Sequence, residues 1–197
     1  AGGNLLLRSQ SGSIALTRET LSSDNLQGDV NLEANQDITI SDTQVEATRD
    51  LKLQAGKDIN IERSQLSALR DTNIIAANQV EIQDDAQSPN EAGIVKAGID
   101  LLIQGDQSIN IQTFRNPDSI IESGNDLKLV SDGLITGNAN FVSGGNFSTT
   151  STGGGLGNFQ QTIIPNFDSI ISSQGDVNFG NYEGVALKVE AQGSITG

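Results

Sequence analysis

The sequence predicts an all-β fold: a right-handed parallel β-helix, a single-stranded solenoid with three short strands in each coil of about 21–25 residues. Three observations predict it. Blocks of similar sequence recur at an offset of 21 residues. Within a block, apolar and polar residues alternate over three to five positions, which is the period of a strand and too short a run for an amphipathic helix. Finally, the 197-residue chain is only 35% hydrophobic and 4% aromatic. A globular core that thin is marginal, and disorder is its competitor. Stacked coils escape the problem, because a few aliphatic side chains per coil merge into one continuous narrow core.

The period is clearest in the first half. Ala34-Asn35-Gln36-Asp37-Ile38-Thr39-Ile40 returns as Ala55-Gly56-Lys57-Asp58-Ile59-Asn60-Ile61 and again as Ala76-Ala77-Asn78-Gln79-Val80-Glu81-Ile82. Neighbouring blocks keep that register. Gly28-Asp29-Val30-Asn31-Leu32 maps onto Arg49-Asp50-Leu51-Lys52-Leu53 and then onto Arg70-Asp71-Thr72-Asn73-Ile74. Apolar starts at Val30, Ile38, Val45 and Leu51 are spaced by 8, 7 and 6 residues. Gly, Asn, Asp and Gln lie between them, where a chain turns corners. The inward-facing repeat is therefore Val30, Leu32, Ile38, Ile40, Val45, Leu51, Leu53, Ile59, Ile61, Leu66, Ile74, Val80 and Ile82. Leu101, Ile109, Ile111, Leu127, Leu129, Val177 and Phe179 extend it.

The whole of 1–197 reads as one repeat domain of about eight or nine coils, on the order of 40 Å long, and is expected to be a segment of a longer array. Two loops or insertions are expected, at 84–92 and 148–157. The first accounts for the step from Val80 to Ile109, which is 29 residues instead of 21. The second lies in a stretch, 133–167, that has no charged side chain and is framed by Phe141, Phe147, Phe159 and Phe167. That stretch is an elaborated coil with its Phe rings packed inside or covering a hydrophobic end, a recognition surface rooted on a rigid scaffold, or a processing or linker segment. A 50-residue echo, from Asp118-Ser119-Ile120-Ile121 to Asp168-Ser169-Ile170-Ile171, fits two coils and a small insertion.

Composition excludes much chemistry. With no Cys, His, Met or Trp, there is no disulfide, thiolate nucleophile, imidazole base or His/Cys zinc site. A net charge of −14 opposes binding to nucleic acid or anionic membrane. No run of 18 apolar residues exists to span a bilayer. Paired carboxylates could still serve a polysaccharide lyase or hydrolase. The candidates are Asp84-Asp85 and the corner residues Asp24, Asp29 and Asp42. Most acids, however, precede a strand once per coil: Asp29, Asp37, Asp50, Asp58, Asp126 and Asp176. Such a position suits a backbone acceptor at a corner, and catalytic sites are singular. Neither an EF-hand loop nor a calcium-binding nonapeptide array is present, and no metal or cofactor is expected. Arg49 and Arg70 are expected to stack beside Asp50 and Asp71. Asn60 is expected to stack near Asn73 or Asn110 at outward or corner positions. Gly153-Gly154-Gly155 lacks the strand, helix and Lys of a phosphate loop.

The blocks Ala55-Gly56-Lys57-Asp58-Ile59-Asn60-Ile61 and Ser123-Gly124-Asn125-Asp126-Leu127-Lys128-Leu129 resemble filamentous haemagglutinin-like repeats. These belong to large exoproteins exported by two-partner secretion. The tail, Gly175-Asp176-Val177-Asn178-Phe179-Gly180-Asn181-Tyr182 followed by Leu187-Lys188-Val189-Glu190-Ala191, is similar to cyanobacterial versions. The resemblance implies a secreted or surface-displayed β-helical rod serving cell adhesion, with no catalytic centre. It also implies an outer-membrane two-partner secretion transporter as partner of the parent protein. A host, neighbouring-cell or glycan surface is the implied ligand. Asn116-Pro117-Asp118 matches the family's amino-terminal export signature only in part and lies in the wrong place, which assigns the chain to the passenger shaft. The lack of Cys suits a chain that crosses membranes unfolded.

Overall fold

Short alternating blocks separated by turn residues bury one face of each strand, and the only neighbour that can complete the backbone hydrogen bonds is the same block one coil away. The computed structural model, which describes residues 3–23, 28–84, 94–112, 120–160, 169–184 and 186–197, has this arrangement. It is a right-handed parallel β-helix of three sheets, with nine, eight and eight strands. The first sheet stacks Leu5–Ser9, Val30–Ala34, Leu51–Ala55, Thr72–Ala76, Leu101–Gly105, Leu127–Val130, Phe147–Thr150, Val177–Asn178 and Ile195–Thr196. The second runs from Ile14–Thr17 to Tyr182–Glu183, and the third from Thr20–Ser22 to Leu187–Ala191. Pairing between the named strands is parallel throughout, as between Val30, Leu51 and Thr72 or between Val80 and Ile109.

Corner hydrogen bonds that join equivalent residues give successive coils of 25, 21, 21, 29, 26, 20, 30 and 18 residues. This range is wider than the 21–25 expected from the first half. The longest three coils hold residues 85–93, 113–119 and 161–168, which lie outside the described residues. All three segments connect the second sheet to the third, and they contain Pro89, Pro117 and Pro165, the three prolines of the chain. Nearly all of the expected loop 84–92 falls there. At the other expected loop, Ser148–Thr150 belong to a strand, so the turn occupies 151–157. The 50-residue echo is two coils, through Ile121, Phe141 and Ile171.

The core is a set of axial columns. All twenty aliphatic and aromatic residues of the inward repeat, from Val30 to Phe179, are buried. On the third sheet one column is made only of small residues: Ala47, Ala68, Ala97, Ser123, Ser143 and Ser173. Two columns carry a buried threonine in place of an aliphatic residue. Thr72 stacks on Leu51 and donates its hydroxyl to the Lys96 carbonyl at 2.9 Å. Thr149 stacks on Leu129 and donates to the Gly157 carbonyl at 2.7 Å. A threonine can occupy an apolar column only with such a partner, since an unsatisfied buried hydroxyl costs about 1–3 kcal/mol. Phe141, Phe147 and Phe159 enter the core from three different sheets. Of the readings of the uncharged stretch, the packed one holds for these three rings; Phe167 lies outside the described residues.

Candidate functional site: corner ladders and an axial groove

Every chain entering a first-sheet strand carries an Asx or Ser residue at the corner, and these side chains form one continuous ladder. The Asp29 backbone N–H donates to Asn4 Oδ1, Asp50 to Asp29, Asp71 to Asp50 and Asp100 to Asp71, at 3.0–3.3 Å. The ladder continues from Asp126 to Asp100, Asn146 to Asp126, Asp176 to Asn146 and Ser194 to Asp176, at 2.8–3.1 Å. A shorter one joins Ser13, Asp37, Asp58 and Gln79 before the second sheet. Each carboxylate thus satisfies a backbone donor that the corner removes from the sheet.

Stacking places like charges about 4.8 Å apart along the axis, which is unfavourable unless countered. Arg49 does so by a two-pronged contact with Asp29, its Nε donating at 2.6 Å. It also lies 3.6 Å from Asp50, and Arg70 lies 3.6 Å from Asp50 and 3.9 Å from Asp71. The expected Arg49/Arg70 stack is present, with Asp29 as an added partner. Asn60 stacks on Glu81, which receives a hydrogen bond from Asn110 at 3.2 Å. Asn73 belongs elsewhere: it lies on the first sheet against Lys52 and Leu102, so its proximity to Asn60 is corrected.

Where ladder positions carry Asn or Ser naturally, the acceptor is kept without the charge. Asp100 accepts from the Asp126 N–H and from Asn125 Nδ2 at 2.8 Å. Asp100→Asn is therefore expected to match or exceed the wild type in urea denaturation. Asp100→Ala, which removes the acceptor, is expected to cost about 1 kcal/mol. Equal behaviour of the two variants would remove the ladder as a stabilising device.

A second corner, between the second and third sheets, is held in left-handed backbone. Arg18, Asp42 and Arg63 have φ of 56°, 51° and 45°. For a residue as bulky as Arg this conformation is strained. An ion-pair stack accompanies it: Arg63 Nε and Nη2 contact Asp42 at 2.6 and 3.1 Å, Arg63 contacts Glu62, and Arg18 lies 4.0 Å from Asp42.

The guanidinium of Arg49 holds Asp29 below the usual carboxylate range, and that of Arg63 does the same for Asp42, with partial burial opposing in both. Arg49 and Arg63 are correspondingly held more firmly protonated by these carboxylates. A carboxylate with a lowered folded pKa stabilises the fold fully above its unfolded value of about 4 and loses that contribution as pH falls through the folded value. Asp29→Asn/Asp42→Asn is therefore expected to flatten the acid limb of Tm between about pH 5 and pH 2. Thermal melts across that range check it, and an unchanged slope counts against these pairs.

Of the other candidate carboxylates, Asp84 alone lies among the described residues. Asp24 and Asp85 lie outside the described residues. Asp84 is half-buried, and its backbone N–H donates to the Gln112 carbonyl at 3.1 Å. Among the described residues no group of three or more acidic side chains is arranged to hold a metal ion, and no helix is long and apolar enough to cross a membrane.

The depressions of the outer surface include two on the first sheet. One, of about 590 Å³, runs along the axis past five coils and includes Arg8, Glu33, Gln54, Ile75 and Gln104. These five are consecutive in one outward column of the first sheet. The other, of about 360 Å³, lies between Asp100, Asp126, Lys128 and the 151–157 turn. That turn is built, not loose. Ser151 N–H donates to the Gly155 carbonyl at 2.7 Å, Thr152 is anchored on Asp132, and Gly154 takes φ +87°. Neither groove is legible in the sequence, because both arise from outward residues one coil apart that no local pattern links.

Set against family models, curated proteins and solved structures, the chain finds no match in any of the three.

Proposed function

We propose that this chain is a shaft segment of a large, secreted or surface-displayed bacterial exoprotein of the filamentous haemagglutinin-like kind, cyanobacterial in type. It serves adhesion without a catalytic centre, and its parent leaves the cell through an outer-membrane two-partner transporter. The observation that carries this reading is the unbroken corner ladder. General acid–base pairs need carboxyl groups in contrasting environments, free to exchange protons with substrate. Here Asp29, Asp50, Asp71, Asp100 and Asp126 are each committed to the same structural task, accepting the N–H of the next coil. A core closed coil by coil also suits a rod whose length scales with repeat number.

The cleft holding Asp100, Asp126 and Lys128 favours the second reading, a β-helical polysaccharide lyase or hydrolase. The two part in one assay. The protein is incubated with neutral and acidic polysaccharides while reducing ends and unsaturated uronate absorbance are followed. No release is expected. Release abolished by Asp126→Asn would replace the shaft with the enzyme.

A further inference from the structure

The two depressions on the first sheet share Gln104 in their linings. Together they follow the outward face from Arg8 in the first coil to Thr152 in the seventh, a track on the order of 30 Å at the spacing of stacked strands. We infer that this track is a binding groove for a linear, uncharged polysaccharide strand; the proposal deepens the adhesive part of the reading above and rests on it.

Length is the first argument. A small molecule fills one pocket, whereas a shallow trough crossing several coils fits a polymer lying along the axis. Charge is the second. Arg8 is paired with Glu33 at 2.6 Å, and Lys128 shares its cleft with Asp100 and Asp126. With its cations accompanied in this way and a chain charge of −14, the track repels polyanions. Hydrogen-bonding chemistry is the third. Gln54 and Asn35 present exposed amides that make no side-chain hydrogen bond among the described residues. Gln104 Nε2 donates to Asp106 at 2.8 Å, a pair that fixes the orientation of that amide. Planar amides that donate and accept match adjacent sugar hydroxyls. Half-buried Ile75 offers apolar contact to the C–H faces of a pyranose, whereas Ala34, Ala55 and Ala76 beneath it belong to the core.

A peptide strand suits the track poorly. The backbone groups of the first-sheet strands are already engaged with the coils above and below, so no sheet edge is open along the groove for strand addition. Lacking an aromatic platform, each sugar is held weakly, and affinity comes from contacts repeated along the polymer.

Affinity electrophoresis in native gels tests the assignment, with hydroxyethyl cellulose, xyloglucan or galactomannan cast into the gel. Polygalacturonate serves as the polyanion. The wild type is expected to be retarded by at least one neutral polymer and not by polygalacturonate. Gln54→Ala/Gln104→Ala is expected to weaken retardation about tenfold. Ile75→Glu, which places a carboxylate where Glu33 already stands two coils earlier in the same column, is expected to abolish it. Asn60→Ala on the second sheet leaves it intact. No retardation by any neutral polymer, equal retardation of the groove variants, or retardation by polygalacturonate alone each overturns the groove. The non-catalytic reading is judged separately, by sugar release.

Discussion

Phe141→Ala is expected to destabilise the protein by about 3–5 kcal/mol, the range for emptying a fully buried aromatic site. Phe141 is wholly buried, with its ring 5.6 Å from that of Phe147 and 6.0 Å from that of Phe159. Phe159 in turn stacks on Tyr182 at 6.1 Å. One ring comes from each sheet, so no single strand can shift to fill the hole. Gly137 has already made the space: it stacks on Ile111, and a Cβ there would lie 2.7 Å from the Phe159 ring and 3.0 Å from that of Phe141. Phe141→Leu is expected to cost clearly less, because Ile121 and Ile171 occupy the same column in the adjacent coils. Each coil is supported only by its neighbours. Urea denaturation of Phe141→Ala should therefore show the lost stability, and hydrogen exchange should place it in the coils around 134–183 while 30–76 stay protected. Loss below about 1 kcal/mol would mean that the rings are not packed as a unit.

Much of the fold was legible because the physical requirement is itself periodic. Parallel pairing one coil apart demands that Ile38, Ile59 and Val80 occupy the same column, and the offset of 21 residues exposes that demand directly. Coil length varies once residues are added between the second and third sheets, and a fixed offset then fails; Val95, Ile103, Ile121 and Ile135 are fully buried yet fell outside the repeat. Thr72 and Thr149 escaped for a different reason. A polar residue in an apolar column is acceptable only with a carbonyl in reach, and their partners, Lys96 and Gly157, are unrelated to either by local pattern. Asp before each strand was readable as a corner acceptor, but not the order of the ladder. The groove was not readable at all, since Arg8, Glu33, Gln54, Ile75 and Gln104 share nothing in side-chain type and become neighbours only through register.

Gly124→Ala is expected to cost about 3 kcal/mol or more, although it adds a single methyl group to a corner. At the turn from the third sheet to the first, Gly98, Gly124 and Gly144 stand one above another, each N–H donating at 3.0 Å to the Ala68, Ala97 and Ser123 carbonyls. A Cβ on Gly124 would lie 2.1 Å from the Gly98 carbonyl oxygen and 2.9 Å from its carbonyl carbon. Gly98 meets Leu69 and Gly144 meets Gly124 at the same 2.1 Å. The obstacle is backbone, so no rotamer relieves it, and the coil must move away from its neighbour. That movement also stretches the Asn125 N–H bond to the Ile99 carbonyl, 2.8 Å, and the adjoining ladder bond of Asp126 to Asp100. Alanine restricts the unfolded chain, worth about 0.4–1 kcal/mol in its favour, which is too little to offset a clash of this kind. Gly153→Ala is the matched control. Its Cβ would meet only Ser151 Oγ at 3.9 Å, and its effect is expected to stay within about 0.5 kcal/mol. Denaturation midpoints of the two variants decide the point. If Gly124→Ala unfolds with Gly153→Ala, axial spacing is not set at this corner and the sheets alone fix it. If it unfolds well before, these three glycines are what let their coils approach closely enough for the corner ladder to keep its register there, while Leu69 and Gln174 hold the equivalent corner in the flanking coils.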